Sequence, residues 1–210
     1  MQVLKFGGSS VGSVEAIHQM VSIVSTSLQK EKTVVVISAM SGVTDQLLLL
    51  AQSAAQGSAS YTSIIDSIEK KHTEVVKALI PSDEQAATLE LLKQLIKELS
   101  TASASMFQLK ELSLQLQDTI ISYGELLSST IIAAYFNTRG IANHWIDSRK
   151  LIKTNAQYFN AVVDKELTNT NIVSFYKETE NKFNLFIAAG FVASDKQGNT
   201  TTLGRGGSDY

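Results

Sequence analysis

The chain has 210 residues, of which 44% are hydrophobic and 18% are charged, and its formal net charge is −2. A chain of this length buries roughly 70% of its unfolded surface, which is enough for a substantial core. The near-neutral charge argues against nucleic acid or an anionic membrane as a partner, and the absence of cysteine excludes disulfides and thiolate metal sites.

The first 55 residues alternate between strand and helix patterns. QVLKF predicts a short buried strand that ends at a glycine pair, and the apolar spacing over residues 13–30 predicts an amphipathic helix. TVVVIS predicts a second strand covered on both faces. A loop, AMSG, then leads into a helix for which Ser41 or Thr44 is the expected cap. This alternation predicts a parallel sheet with flanking helices.

Residues 59–138 predict a helical insertion, interrupted at Pro81 with Ser82 as the expected cap of the next helix. Gly140 is the expected stop of the last helix. Two apolar stripes are predicted, Leu89, Leu92, Ile96 and Leu99 on one helix and Leu112, Leu116, Thr119, Tyr123 and Leu127 on another. Uninterrupted apolar runs are far shorter than the ~20 residues that span a bilayer, so no membrane contact is expected.

The last third returns to mixed patterns. NHWIDS predicts a strand, a helix is expected near NAVVDKEL or NIVSFYKE, and NLFIAAGFVAS predicts one buried strand. DKQGN then predicts a turn and TTTL the returning strand of a hairpin. The fold class expected from the whole chain is α/β, a three-layer sandwich whose mainly parallel sheet is flanked by helices.

The loop after the first strand is a candidate phosphate-binding loop. Gly7, Gly8 and Ser9 let backbone N–H groups approach a ligand, the next helix directs its N-terminal dipole to the same place, and Lys5 adds a positive charge. The plain alternative is an ordinary turn with Lys5 exposed on an edge strand. The loop is no Walker A motif, because the chain has no Gly-Lys pair, and no dinucleotide fingerprint, because Ser9 replaces the second glycine.

Two further candidates lie on the second loop and on the helical insertion. Ser38, Ser41 and Thr44 offer hydroxyls at the carboxyl end of the sheet, where open α/β sheets bind ligands; the alternative is a plain helix cap. Glu125 is a carboxylate on a largely apolar helix, which is costly unless it is paired or solvated. Its neighbour Gly124 lowers helix stability by about 1 kcal/mol relative to alanine. The alternative is an exposed glutamate beside a packing glycine.

The last candidate is the terminal stretch GRGGSD. Arg205 can bind a carboxylate or phosphate through two parallel hydrogen bonds, and Gly206 and Gly207 allow close backbone approach. Ser208 and Asp209 could cap a following helix. The three histidines are far apart and lack metal-ligand spacing, so no metal site is expected.

Four stretches in this order, KFGGSSV, SAMSGVT, SYGELLSS and TTLGRGGSDY, resemble the aspartokinases, which belong to the amino-acid kinase family. WIDSRKLIKTN is also similar to a segment of that family. The chain departs from the family pattern at Ser9, where threonine is usual, and this change keeps the hydroxyl. The resemblance covers the whole chain and implies the amino-acid kinase-like fold.

The resemblance implies transfer of the γ-phosphoryl group of ATP, with Mg²⁺, to the side-chain carboxylate of L-aspartate, the first step of lysine, threonine and methionine biosynthesis. A carboxylate nucleophile is already ionised at neutral pH, so the reaction needs no general base. The resemblance implies that Lys5 neutralises the transferring phosphoryl group and that Asp209 orients Lys5, while phosphate is bound by Gly7, Gly8 and Ser9. It further implies that Arg205 binds a substrate carboxylate and that Glu125 receives the α-ammonium group. The aspartate pocket would be completed by Ser38, Thr44, Gly206, Gly207 and Ser208. The charged groups of Glu125 and Arg205 should then lie no more than about 12 Å apart.

The resemblance also implies that residues 1–210 form the aspartate-binding N-terminal lobe of a kinase domain. Most nucleotide contacts, the regulatory domains and, in some members, a homoserine dehydrogenase would follow Tyr210. We therefore expect a cytoplasmic chain that is inactive alone and that self-associates through surfaces a missing lobe would cover. The alternatives are another member of the family, namely an acetylglutamate, glutamate or uridylate kinase, or a non-catalytic amino-acid-binding domain.

Overall fold

The computed structural model describes residues 1–204. Its centre is a four-stranded sheet with strands β1 (Gln2–Phe6), β2 (Thr33–Ile37), β3 (Asn143–Ile146) and β4 (Leu185–Ala189). The strands lie in the order β1-β2-β4-β3, and every neighbouring pair is parallel. The predicted parallel sheet is confirmed, and its carboxyl ends all meet at one edge.

Six helices surround this sheet, and the predicted helical insertion is confirmed as three consecutive helices. The helices are α1 (Val14–Leu28), α2 (Val43–Ala55), α3 (Tyr61–Leu79), α4 (Gln85–Leu109), α5 (Leu114–Thr138) and α6 (Lys165–Thr179). Helix α6 lies on the opposite face of the sheet from α5: Phe175 of α6 packs edge-on against Phe186 of β4, with ring centroids 6.0 Å apart. The sheet is therefore the middle layer of three.

Two predicted helix caps are wrong. Helix α2 begins after Gly42, which adopts a left-handed conformation (φ 78°), and no side chain caps it. Glycine makes that turn without steric cost, so Ser41 precedes it and Thr44 lies inside the helix. Helix α4 begins after Glu84, again without a side-chain cap, because residues after Pro81 first form a turn closed by the Glu84 N–H and the Pro81 carbonyl (2.9 Å).

Helix α5 forms the centre of the core. The predicted stripe is confirmed at Tyr123 and Leu127, which are buried, but Leu112 precedes the helix and is 43% exposed. Gly140 (φ 72°) follows the end of the helix, as predicted. By length and composition α5 could also cross a membrane, contrary to the expectation from uninterrupted runs, yet 83% of its apolar window is buried inside the protein. That burial is typical of a core helix.

The stretch NLFIAAGFVAS is two strands and not one. β4 ends at Ala189, and Phe191 adopts a left-handed conformation (φ 63°) that redirects the chain. The next strand, β5 (Val192–Ser194), pairs antiparallel with β6 (Thr200–Thr202), which confirms the predicted hairpin.

β2 is not fully covered on both faces. Val35 and Ile37 are completely buried, whereas Val34 and Val36 on the other face are only half-buried and line an open apolar groove of about 630 Å³ beside α6.

Candidate functional site

The loops that follow β1 and β2 pack against each other at the carboxyl edge of the sheet. A Cβ atom on Gly8 would lie 3.0 Å from the Ala39 carbonyl oxygen, and one on Gly12 would lie 3.0 Å from the Ser41 Cβ. Gly8 therefore packs against the backbone of the second loop and Gly12 against the Ser41 side chain, and the lack of a Cβ atom permits both close contacts. The first two sequence-predicted loops are thus brought together, as expected for neighbouring parallel strands.

The first loop forms a short 3₁₀ turn over Gly8–Val11 and then enters α1, whose N-terminus is capped by the Ser13 hydroxyl. Val11 is completely buried and anchors the turn. Gly7 differs from Gly8, because its φ is negative (−74°) and no atom lies within 4 Å of the position that its Cβ would take. Neither packing nor conformation requires glycine there, and open space lies beside its backbone.

Lys5 and Ser9 lie two residues before and two residues after Gly7 in the sequence. Lys5 lies on the edge strand β1, where its Cα is paired with that of Val36, and its side chain is exposed, as is that of Ser9. Because side chains alternate along a strand, Lys5 lies on the opposite face of the sheet from its buried neighbour Phe6. An exposed lysine at the sheet edge fits either a phosphate-binding role or the plain alternative stated above.

The second loop is fixed from two helices. The Ser128 hydroxyl of α5 donates to the Ser38 carbonyl (2.8 Å), and the Lys71 ammonium of α3 donates to the Ser41 carbonyl (2.6 Å). The third contact comes from Glu125, whose Oε1 accepts a hydrogen bond from the Ala39 N–H (3.1 Å). The structure thus places Glu125 against the loop that contains Ser38 and leads to Thr44.

Glu125 is buried, with only 5% of its surface exposed, so the alternative of an exposed glutamate is wrong. Its second oxygen, Oε2, is buried and has no hydrogen-bond partner among residues 1–204. Desolvation raises the pKa of Glu125 from 4.5 to about 7, although the Ala39 hydrogen bond acts in the opposite direction. A buried carboxylate oxygen without a partner is costly, and a cationic ligand group would remove that cost.

Gly124 is a packing glycine, as the alternative proposed. A Cβ atom there would lie 2.7 Å from the Ala39 Cβ and 3.3 Å from the Leu47 Cδ1. Because Gly124 has no Cβ atom, α5 approaches the second loop closely enough for Glu125 to reach the Ala39 N–H.

The predicted residues Arg205, Gly206, Gly207, Ser208 and Asp209 lie outside the described residues, as does the predicted proximity of Arg205 to Glu125. The preceding segment is well defined: β6 ends at Thr202, and the Leu203 N–H donates to the Phe191 carbonyl (3.0 Å).

Sequence reasoning missed a second buried carboxylate, Asp118 of α5. It is completely buried and accepts three hydrogen bonds, two from Thr202 and one from the Phe159 N–H. The signal was present, because Asp118 lies seven residues before Glu125 on the same apolar helix and therefore on nearly the same face.

The described residues provide a candidate phosphate-binding loop for a nucleotide, but they provide no cluster of metal-ligating side chains. The first loop, with open space at Gly7 and a helix N-terminus behind it, has the character of a phosphate site. Within residues 1–204 no group of three or more His, Cys, Asp or Glu side chains could hold a metal ion. This portion of the chain therefore does not fit Mg²⁺ without further ligands.

The family model described as the amino acid kinase family matches residues 1–210. The chain belongs to the amino acid kinase family. Among curated members, it is 34% identical to aspartokinase 1, chloroplastic, of Arabidopsis thaliana and 31% identical to lysine-sensitive aspartokinase 3 of Escherichia coli K12, over 99% of the chain in both comparisons. These matches cover 36% and 44% of the two relatives.

Solved structures of aspartate kinases have a similar fold over the whole of this chain. E. coli aspartokinase III, solved in complex with aspartate and ADP (R-state), superposes with a TM-score of 0.88 at 28% identity over 100% of this chain and 45% of that one. Clostridium acetobutylicum aspartate kinase matches in fold, with a TM-score of 0.76 at 23% identity over 100% and 43% of the two chains. The chain thus spans less than half the length of these family members, and its fold is the predicted amino acid kinase fold.

Proposed function

We propose that this chain is the aspartate-binding part of an aspartate kinase, which transfers the γ-phosphoryl group of ATP to the side-chain carboxylate of L-aspartate. The observation that carries this proposal is the buried Oε2 of Glu125, which has no partner among the described residues, on a side chain that holds the loop after β2 through its other oxygen. The α-ammonium group of an amino acid would supply the missing hydrogen bond and the opposite charge.

The remaining pocket residues keep the roles implied by the resemblance. Ser38 lies on the second loop, directly before the Ala39 that Glu125 contacts, and Thr44 lies in the first turn of α2. Arg205 would bind a substrate carboxylate, with Gly206, Gly207 and Ser208 around it. An amino acid that carries both an ammonium and a carboxylate would satisfy the two opposite charges together.

Phosphoryl transfer is assigned to the first loop. Gly7 and Gly8 would donate backbone N–H bonds to the phosphoryl group, with Ser9 beside them, and Lys5, oriented by Asp209, would neutralise its charge. The open space at Gly7 supports this assignment, since neither conformation nor packing explains that glycine. The reaction depends on positioning and charge neutralisation, so the absence of a general base is consistent with it.

ATP and Mg²⁺ enter the proposal as co-substrate and metal. Mg²⁺ usually keeps several waters and binds phosphate oxygens with one or two carboxylates, which agrees with the lack of a carboxylate cluster within residues 1–204. We assign adenine and ribose contacts to a nucleotide-binding lobe that follows residues 1–210. The structure of E. coli aspartokinase III with aspartate and ADP supports an adenine nucleotide and aspartate as the ligands.

The pathway, the compartment and the assembly of the protein are the remaining parts of the proposal. We place the reaction in the biosynthesis of lysine, threonine and methionine, in line with a relative named as lysine-sensitive. A cytoplasmic location stays a prediction, since the plant relatives are named as chloroplastic. Self-association of the chain, through a sheet edge or helix faces that another lobe would cover, also stays a prediction.

The proposal is tested by titration calorimetry of the chain with L-aspartate, L-glutamate, N-acetyl-L-aspartate, N-acetyl-L-glutamate and UMP. Aspartate should bind, whereas N-acetyl-L-aspartate, which keeps both carboxylates but lacks the ammonium, should not. Preferential binding of N-acetyl-L-glutamate, glutamate or UMP would assign the chain to the corresponding kinase. Binding of aspartate and N-acetyl-L-aspartate with equal affinity would contradict the role of Glu125.

A further inference from the structure

We propose that Asp118 is a positioning residue of the aspartate site, which fixes the strand leading towards Arg205 against the helix that carries Glu125. This inference rests on the proposed function, because it assigns Asp118 a task in that same site. Asp118 itself would not touch the substrate.

The contacts of Asp118 join three segments that are distant in sequence. Its Oδ1 accepts from the Thr202 hydroxyl (2.6 Å), and its Oδ2 accepts from the Thr202 N–H (3.0 Å) and the Phe159 N–H (2.9 Å). Burial raises the pKa of Asp118, and these three donors act against that rise. The carboxylate is thus fully used as a hydrogen-bond acceptor, on two backbone groups and one side chain.

The segment at Phe159 also reaches the start of the terminal loop. Phe159 adopts a left-handed conformation (φ 71°), which is uncommon for a residue other than glycine and persists only where surrounding contacts fix it. The side-chain oxygen of the adjacent Asn160 packs closely against Gly204, at the position that a Cβ atom there would take. Asp118 therefore fixes both Thr202, two residues before Gly204, and the segment of Phe159, whose neighbour Asn160 packs against Gly204.

Helix α5 connects this contact to Glu125, the carboxylate proposed to bind the ammonium group of the substrate. Seven residues of an α-helix span about 10 Å and complete nearly two turns, so Asp118 and Glu125 share one face of α5. Glu125 holds the loop after β2 through the Ala39 N–H, and Asp118 holds the end of β6. One helix thereby sets the distance between the loop after β2 and the end of β6.

Three variants of the chain test this role. Asp118→Ala leaves the N–H groups of Thr202 and Phe159 without their acceptor. Asp118→Asn keeps an oxygen for both N–H groups, and its amide can donate to the Thr202 hydroxyl, which rotates to accept. Leu99→Ala is the control, since Leu99 of α4 is completely buried and its truncation destabilises the core without touching either loop.

Two measurements are made on each variant, the dissociation constant for aspartate and the hydrogen exchange of the Thr202 and Phe159 amides. We expect Asp118→Ala to weaken aspartate binding by about tenfold or more and to lose protection at both amides, while Asp118→Asn stays within about threefold of the unmodified chain. Leu99→Ala should lower the melting temperature but leave aspartate affinity within about twofold.

The outcomes separate this inference from the proposed function. If the unmodified chain binds aspartate and folded Asp118→Ala binds it equally well, the positioning role is wrong and the proposed function stands. Equal losses of affinity in Asp118→Ala and Leu99→Ala would also overturn the role, because general destabilisation would then explain both. If the unmodified chain binds no aspartate, the proposed function fails and this inference fails with it. Should Asp118→Ala not fold, Thr202→Val removes only the hydroxyl contact, and an unchanged affinity in that variant would overturn the role.

Discussion

The substitution Glu125→Gln separates the charge of this side chain from its shape. Glutamine keeps an oxygen that can accept from the Ala39 N–H, now 3.1 Å from Oε1, and it removes the negative charge at Oε2. The change therefore leaves the contact between α5 and the second loop in place. It alters only the atom that is buried without a described partner.

The magnitude follows from the pKa of Glu125. A rise from 4.5 to about 7 corresponds to roughly 3 kcal/mol by which burial disfavours the ionised form, at 1.36 kcal/mol per pKa unit. Above pH 7 the unliganded chain carries this cost, so Glu125→Gln should raise its free energy of unfolding by up to about 3 kcal/mol. Loss of the charge opposite a buried ammonium should weaken aspartate binding by about 100-fold, or roughly 3 kcal/mol.

The two effects have opposite signs, and this makes the experiment specific. We would measure aspartate affinity by calorimetry and stability by chemical denaturation, both at pH 8. Glu90→Gln is the matched control: Glu90 is an exposed glutamate of α4, and its substitution should change both quantities by less than about 0.5 kcal/mol.

Two results would refute this reasoning. A Glu125→Gln variant that binds aspartate as tightly as the unmodified chain would show that the ammonium lies elsewhere. A variant that is both weaker in binding and less stable would show that Glu125 serves mainly to hold the fold.

Further predictions concern pH, packing and catalysis. The folded chain holds the Glu125 proton up to about pH 7, whereas the unfolded chain releases it near pH 4.5. The free energy of unfolding should therefore decrease as the pH rises from about 4.5 to about 7, and denaturation experiments on Glu125→Gln should show no such decrease. Gly124→Ala should lower the free energy of unfolding by about 1–3 kcal/mol and weaken aspartate binding, since its Cβ would lie 2.7 Å from that of Ala39; an unchanged denaturation midpoint would contradict this. In a protein that joins this chain to a nucleotide-binding lobe, Lys5→Ala should lower kcat far more than it raises KM for aspartate; comparable changes would assign Lys5 to ground-state binding. Residues 1–210 alone, incubated with aspartate, ATP and Mg²⁺, should form no acyl phosphate that hydroxylamine can trap, and hydroxamate formation at a rate near that of a complete aspartokinase would place the ATP site within this chain.

Much of the fold could be predicted from periodicity, because the elements are long or strongly patterned. The β-branched run of β2 and the apolar spacing of α1 each fixed a strand or helix within a few residues. The break at Gly190–Phe191 could not be predicted, since the apolar pattern continues across it and the left-handed turn at Phe191 depends on tertiary contacts. The caps of α2 and α4 failed for a related reason, because a glycine turn and a proline turn replaced the expected side-chain caps.

The two loops of the candidate site could be predicted from residue types in the sequence, whereas the burial of its carboxylates could not. Glycines and hydroxyls after two strands indicated the two loops, and parallel topology brought them together. Residue identity alone favoured an exposed Glu125, because only the packing of Gly124 on Ala39 reveals the burial of its neighbour. The spacing of Asp118 from Glu125 was a sequence signal for a second carboxylate on the same helix face, but its partner Thr202 of β6 lies 84 residues away and only the fold reveals it.

The most direct test of the central proposal is a crystal structure of the chain with L-aspartate bound. The aspartate nitrogen should lie about 3 Å from the Glu125 Oε2, with the side-chain carboxylate directed towards the loop at Gly7 and Gly8. An aspartate whose ammonium lies away from Glu125, with Oε2 still unpaired, would contradict the assignment of this site.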